Sequence, residues 1–141
     1  MGYTIANETI TNEIRKTHQF MTFSVNTPIQ FALSEYMKSP EHYLHLGSFY
    51  QRKRDLFLNA IKGSSWVPAP CHGSYFQSLG YENISNLPDR EMAEKVTRQH
   101  KVASIPNSAF YQDKTDNKSL RFCFAKEDQT LERACEILKK L

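Results

Sequence analysis

Along the first 63 residues, apolar positions recur every three or four residues; beyond them the spacing shortens to two in several places. The run "NETITNEIRKTHQF" carries Ile10, Ile14 and then Thr17 or His18 at helical intervals, with Asn7 or Thr9 as its cap. "MTFSVNTP" breaks that pattern. Thr27-Pro28 restarts a helix with proline in the first turn, and "IQFALSEYM" carries it to near Ser39. Ser39-Pro40-Glu41 then supplies a cap, a first-turn proline and a first-turn acid, so a further helix is expected from there. It is the longest element: Leu46, Phe49, Tyr50, Leu56, Phe57, Ala60 and Ile61 share one face, and Gln51, Arg52, Arg54 and Asp55 take the other. Gly63 ends it as a helix-terminating glycine.

After Gly63 the chain turns strand-rich, and a boundary belongs there. "GSYFQSLGY" reads as a strand with Tyr75, Leu79 and Tyr81 on one face. "LPDREMAEKVTRQHK" is a helix capped near Asp89 and buried through Met92, Ala93 and Val96. "VASIP" is a short strand closed by Pro106, and "NSAFYQDKTDNK" a polar loop. "SLRFCF" alternates Leu120, Phe122 and Phe124 with Arg121, Cys123 and Ala125. A last helix from Asp128 buries Leu131, Ala134, Cys135, Leu138 and Leu141, with Lys139-Lys140 at the end its dipole favours. These elements predict an α/β chain of the α+β, two-layer kind: a small sheet with helices on one face, preceded by helices. At the other end, "GYTIA" looks like a strand that starts with no turn or cap before it, as if the chain opened inside an element.

Composition narrows the class of function. The chain has 141 residues, 40% of them hydrophobic and 23% charged, as expected for one ordinary soluble domain or part of a larger one. Its 18 basic residues are spread and the net charge is +3, so there is no basic stripe for nucleic acid. No apolar run approaches the roughly 18 residues that span a bilayer, and no signal-peptide core is present. Cys71, Cys123 and Cys135 are an odd number at wide spacings, which fits reduced thiols in a cytoplasmic protein.

Few residues offer chemistry. His42 and His45 could share a helix face, but no third ligand stands near, so no metal site is expected. Cys71-His72 are adjacent, and adjacent side chains seldom meet. Arg121 remains: a long cation between small neighbours on an otherwise greasy strand. It is either a solvated strand arginine or a planar fork of donors waiting for a carboxylate, which two parallel charge-assisted hydrogen bonds would fix in place.

Four segments, "KTHQFMTFSVNTPIQFALSEYM", "GSYFQSLGY", "VASIPNSAFY" and "LRFCFAKED", taken in order, resemble the C-terminal part of a class I/II, fold-type-I aminotransferase. The methionine and kynurenine aminotransferases are the branch they are most similar to, and the resemblance covers essentially the whole chain. It implies that Arg121 grips the substrate's α-carboxylate. It also implies that Phe23 and Ser24 lie on a loop reaching the active site of the other subunit of a homodimer; some relatives carry His where Ser24 stands. It divides the chain into residues 1–38, the end of the large domain that binds pyridoxal phosphate; 39–63, a long interdomain helix; and 64–141, the small domain. In that family the Schiff-base lysine and the phosphate-binding groups stand shortly before the "G[YW]" that Gly2-Tyr3 match, and no lysine here has that context. The implied parent enzyme moves an amino group between an amino acid and a 2-oxo acid. The present residues would then hold no cofactor, contain no catalytic residue and be inactive alone. Two other readings stand beside this one: a carbon–sulfur β-lyase on the same scaffold, and a small binding module without chemistry.

Overall fold

The Asn7 side chain accepts a hydrogen bond from the Ile10 amide (3.0 Å), meeting one of the free donors at the start of α1 (Glu8–Met21). Asn26 does the same for Ile29 at α2 (Thr27–Tyr36), with Pro28 in the first turn. The computed structural model describes residues 2–141, which form two compact units, divided between His45 and Leu46. Both helices belong to the first unit.

Two expectations fail in this unit. Residues 2–7 form no strand, and Tyr3 and Ile5 are 90% and 87% exposed. A strand requires a partner for its amides and carbonyls, and none of the described residues supplies one here. The long helix also does not start at Ser39. Pro40–His42 make a single 3-10 turn, and Ser39 gives it no side-chain cap. Backbone bonds from the His42 amide to the Ser39 carbonyl and from the Tyr43 and Leu44 amides to the Pro40 carbonyl close the turn, and the Tyr36 hydroxyl, donating to the His42 carbonyl, and the Tyr43 hydroxyl, donating to the Met37 carbonyl, each at 3.1 Å, tie it to the end of α2.

In the second unit, α3 (Leu46–Ile61) packs along α5 (Asp128–Leu138), and α4 (Asp89–His100) lies between them in sequence. β1 (Val67–Pro68), β2 (Phe76–Gly80), β3 (Ile105–Pro106) and β4 (Ser119–Cys123) form one antiparallel sheet in the order β1-β2-β4-β3. Leu79 and Leu120 are register partners, as are Gln77 and Phe122, and all four are buried. The opposite face carries Phe76, Ser78, Arg121 and Cys123. Phe57 and Ile61 of α3, Met92, Ala93 and Val96 of α4, and Leu131, Cys135 and Leu138 of α5 meet the buried face in one core. Trp66 joins it, with Nε1 donating to the Leu138 carbonyl (2.9 Å) at the end of α5. Of the triplet expected on one strand face, Leu79 and Tyr81 are buried, whereas Tyr75 is 47% exposed. The expected two layers are present, an α+β arrangement with helices on one face of the sheet.

The polar segment after β3 is more ordered than its composition suggests. Asn107–Phe110 make a 3-10 turn rather than a free loop. No helix among the described residues is long and apolar enough to cross a membrane.

Candidate functional site

Alternation along β4 turns Leu120 and Phe122 into the core and leaves Arg121 on the other face of the sheet. Its cross-strand neighbours are Ser78 on β2 and Ile105 on β3. The guanidinium carbon lies 4.2 Å from the centre of the Phe76 ring and 3.8 Å from that of Phe110. Two rings thus lie within cation–π distance of the guanidinium; stacking on them would fix its plane and leave its edge as the direction of approach.

What the guanidinium lacks is as informative. It takes part in no hydrogen bond or ion pair among the described residues, and its Nε is buried without an acceptor. A buried donor left unsatisfied costs about 1–3 kcal/mol. Each stacking contact contributes only about 0.5–2 kcal/mol, so the rings hold the side chain without replacing the missing acceptor. A planar anion meeting that edge would satisfy both the charge and the donors. Arg121 is therefore oriented, partly desolvated and uncompensated, the condition in which a bidentate carboxylate contact is strongest.

Phe23 and Ser24 lie in the first unit. α1 ends at Met21, and Phe23 follows with φ of 63°, its amide donating to the His18 carbonyl (3.0 Å). A bulky residue in this left-handed region stores roughly 1–3 kcal/mol of strain. Its ring is 84% exposed, so packing within the unit does not offset that strain. Ser24 donates its amide to the Thr22 carbonyl (2.8 Å), which tightens the turn.

The other candidates have ordinary roles. His42 stacks on Tyr36 with centroids 5.5 Å apart, and among the described residues no three metal-ligating side chains cluster. Cys71 donates its thiol to the Phe76 carbonyl and its own carbonyl accepts from Arg54. All three cysteines are free thiols; burial pushes Cys135 up to about 11.

Sequence reasoning picked out Arg121 but missed the rings around it. Phe76 lies on Arg121's face because of the β2–β4 register, which pairs Ser78 with Arg121 across more than forty residues of chain. Phe110 stands in a stretch whose composition predicts a polar loop. The only local signal was "SAFY", whose two aromatics are out of place in a solvated loop.

Residues 1–138 match the family described as aminotransferase class I and II. The chain is 46% identical over its full length to the methionine aminotransferase of Escherichia coli, covering 37% of that protein. It is 32% identical to the kynurenine–oxoglutarate transaminase of Dictyostelium discoideum, covering 38% of it. A solved structure from Escherichia coli, reported as a methionine aminotransferase, superposes on 97% of the chain with a TM-score of 0.91 and takes in 36% of that protein. The N-succinyldiaminopimelate aminotransferase of Mycobacterium tuberculosis, at 22% identity and a TM-score of 0.83, shares the fold. The chain spans a little over a third of the length of these relatives.

Proposed function

The chain belongs to the class I and II aminotransferases, and on that premise we propose that it is the C-terminal part of a pyridoxal-phosphate enzyme that moves an amino group between an amino acid of the methionine or kynurenine kind and a 2-oxo acid. One observation carries its share of that work: Arg121, held between Phe76 and Phe110 with no anionic partner, is the anchor for the substrate α-carboxylate. Stacking sets the plane of the fork before substrate arrives, so little side-chain entropy remains to be lost on binding. With the carboxylate fixed at two points, the substrate can only swing about that end, which brings its amino group to the same place on each encounter.

Family members use pyridoxal phosphate, which supplies the carbonyl that takes up the amino group. The described residues do not fit that group. Lys53 is the buried lysine among them, and its ammonium is committed to the Asp128 carboxylate (2.6 Å) and the Lys126 carbonyl (2.7 Å). The cofactor site is assigned to the part of the relatives' length that this chain does not span. These 141 residues alone should accordingly release added cofactor on desalting; a stoichiometric absorbance band that stayed with the protein would contradict this.

Residues 1–38 are assigned to the end of the large domain, 39–63 to an interdomain segment and 64–141 to the small domain. Supporting this is the absence of any buried residue among those described before Lys53. Phe23 and Ser24 are assigned to the loop that reaches a partner subunit in a homodimer, on the strength of the strained, exposed backbone at Phe23. Three unpaired thiols support a cytoplasmic setting.

The test is kinetic, in the full-length enzyme. Arg121→Ala should lower kcat/KM for the amino acid by a factor that corresponds to ~2–5 kcal/mol of lost transition-state stabilisation, part of it from the substrate charge left unpaired. Arg121→Lys should recover little, since an ammonium cannot reproduce the fork. An amine with the same side chain and no carboxylate should be unaffected. An equal loss on both substrates would reduce Arg121 to a structural residue.

A further inference from the structure

Asp89 is a charged side chain that the reaction does not use, and it is only 2% exposed. Its two oxygens are both occupied by one residue. Oδ2 accepts from the Ser108 amide and Oδ1 from the Ser108 hydroxyl, each at 2.8 Å, and Ser108 is itself only 3% exposed. The other end of the same turn is pinned to the sheet, where the Asn107 side-chain amide donates to the hydroxyls of Ser78 (3.1 Å) and Ser119 (2.8 Å). Ser78 is the register partner of Arg121, and Ser119 lies two residues before it on β4. Asn107–Phe110 are thus held from below by the sheet and from the side by the start of α4, and the residue they present is Phe110, whose ring lies 3.8 Å from the guanidinium.

The surroundings of Asp89 show why it stays a fixed point. Its own amide donates to Asp116 Oδ2 (3.0 Å), and Lys118 lies 3.8 Å from that carboxylate while donating to the Asn86 and Leu87 carbonyls. The Tyr81 hydroxyl donates to the Leu87 carbonyl, and burial, with Asp116 and Asp89 nearby, raises its pKa far above the ordinary value. Two carboxylates, one ammonium and a buried phenol therefore frame the first turn of α4, where a negative charge is favoured.

We propose that Asp89 and Ser108 form a latch that positions Arg121: by holding the Asn107–Phe110 turn against α4, the latch keeps Phe110 stacked on the guanidinium and so fixes the plane in which the substrate carboxylate is received. This rests on the reading of Arg121 as the carboxylate anchor. Asp89 is a positioning residue; it touches neither substrate nor guanidinium. Without the latch the protein still folds around its sheet and helices, but one wall of the aromatic sandwich is released and the guanidinium rotates out of plane.

The experiment compares methionine with 3-(methylthio)propylamine, which has the same side chain without the carboxylate, in full-length enzyme carrying Asp89→Asn, Ser108→Ala, Arg121→Ala, or Asp89→Asn with Arg121→Ala. Misplacing a binding group by an ångström costs about ten- to a hundredfold, so Asp89→Asn should reduce methionine kcat/KM by that order, chiefly through KM, and leave the amine unchanged. Ser108→Ala, which deletes one hydroxyl and disturbs folding least, should show the same selectivity with a smaller loss. In the Arg121→Ala background, Asp89→Asn should change the ratio of the two substrates no further. If Arg121→Ala shifts the ratio but Asp89→Asn and Ser108→Ala do not, or if they lower both substrates equally, the latch is overturned while the anchor stands. If Arg121→Ala itself leaves the ratio unchanged, the anchor reading fails and the latch falls with it.

Discussion

The two units are written in the same helical code and end in opposite states. α1 and α2 have side-chain caps on their N-termini and regular apolar spacing, yet no described residue of the first unit is buried. Ile10 is 52% exposed, Phe20 87% and Phe31 71%. In the second unit α4 has no side-chain cap from its own N-cap residue, yet Met92 and Val96 are 1% and 0% exposed. Capping and periodicity decide where a helix forms, whereas burial decides whether it contributes to stability, and burial depends on what the rest of the protein places against it.

The largest test of this contrast is a matched pair of aromatic truncations in the 141-residue chain. Phe124→Ala opens the core beneath the sheet and should cost about 3–5 kcal/mol in denaturant unfolding. Phe31→Ala removes the same atoms from an exposed face and should change stability by less than ~0.5 kcal/mol. A comparable loss from Phe31→Ala would mean that the first unit is stabilised by contacts of its own. The apolar surface left open there should also promote association; a strict monomer by light scattering, together with slow amide exchange through residues 8–36, would contradict the account.

A smaller effect concerns the tie between α3 and α5 inside the second unit. Asp128 receives hydrogen bonds from Lys53 and Arg52, which hold its carboxyl below the ordinary value of 3.8. A depressed pKa contributes stability that is complete above the unfolded value and disappears as pH falls through the folded one. Asp128→Asn should therefore lower the thermal midpoint at neutral pH, and the gap to the parent sequence should close as the pH drops below about 4. A gap that persisted unchanged at pH 2 would show that the contact is not electrostatic. The smallest expected effect is chemical: an alkylating reagent at pH 8 should label Cys71 and Cys123 well before Cys135, which is 1% exposed with its thiol pushed up to about 11. Equal labelling of all three would indicate that the core opens as readily as the surface.

Element positions were largely legible because they rest on local rules. The Asn7 cap, Pro28 in a first turn, Gly63 at φ of 80° past α3, and the alternation through Leu120, Phe122 and Phe124 all follow from neighbours in sequence. The failures came where a distant partner or a side-chain bond decides. "GYTIA" has the composition of a strand but no partner among the described residues, and the Ser39-Pro40-Glu41 signal yields only a single 3-10 turn, across which two tyrosine hydroxyls bond. The site divides the same way. Arg121 stood out because alternation gave it a face of its own, whereas Phe76, Phe110 and the Asp89–Ser108 pair reach it only through register and a turn that no local pattern specifies. The meaning of Arg121 came from the resemblance of "LRFCF" to a family motif, since the spacing alone fits a solvated arginine equally well.

The most direct measurement is a crystal structure of the full-length enzyme with a bound amino acid. The substrate carboxylate should lie in the plane of the Arg121 guanidinium, with two N–H···O contacts of about 2.7–2.9 Å and the Phe76 and Phe110 rings stacked on it. A carboxylate bound elsewhere, with Arg121 paired to a protein side chain or turned to solvent, would contradict this expectation.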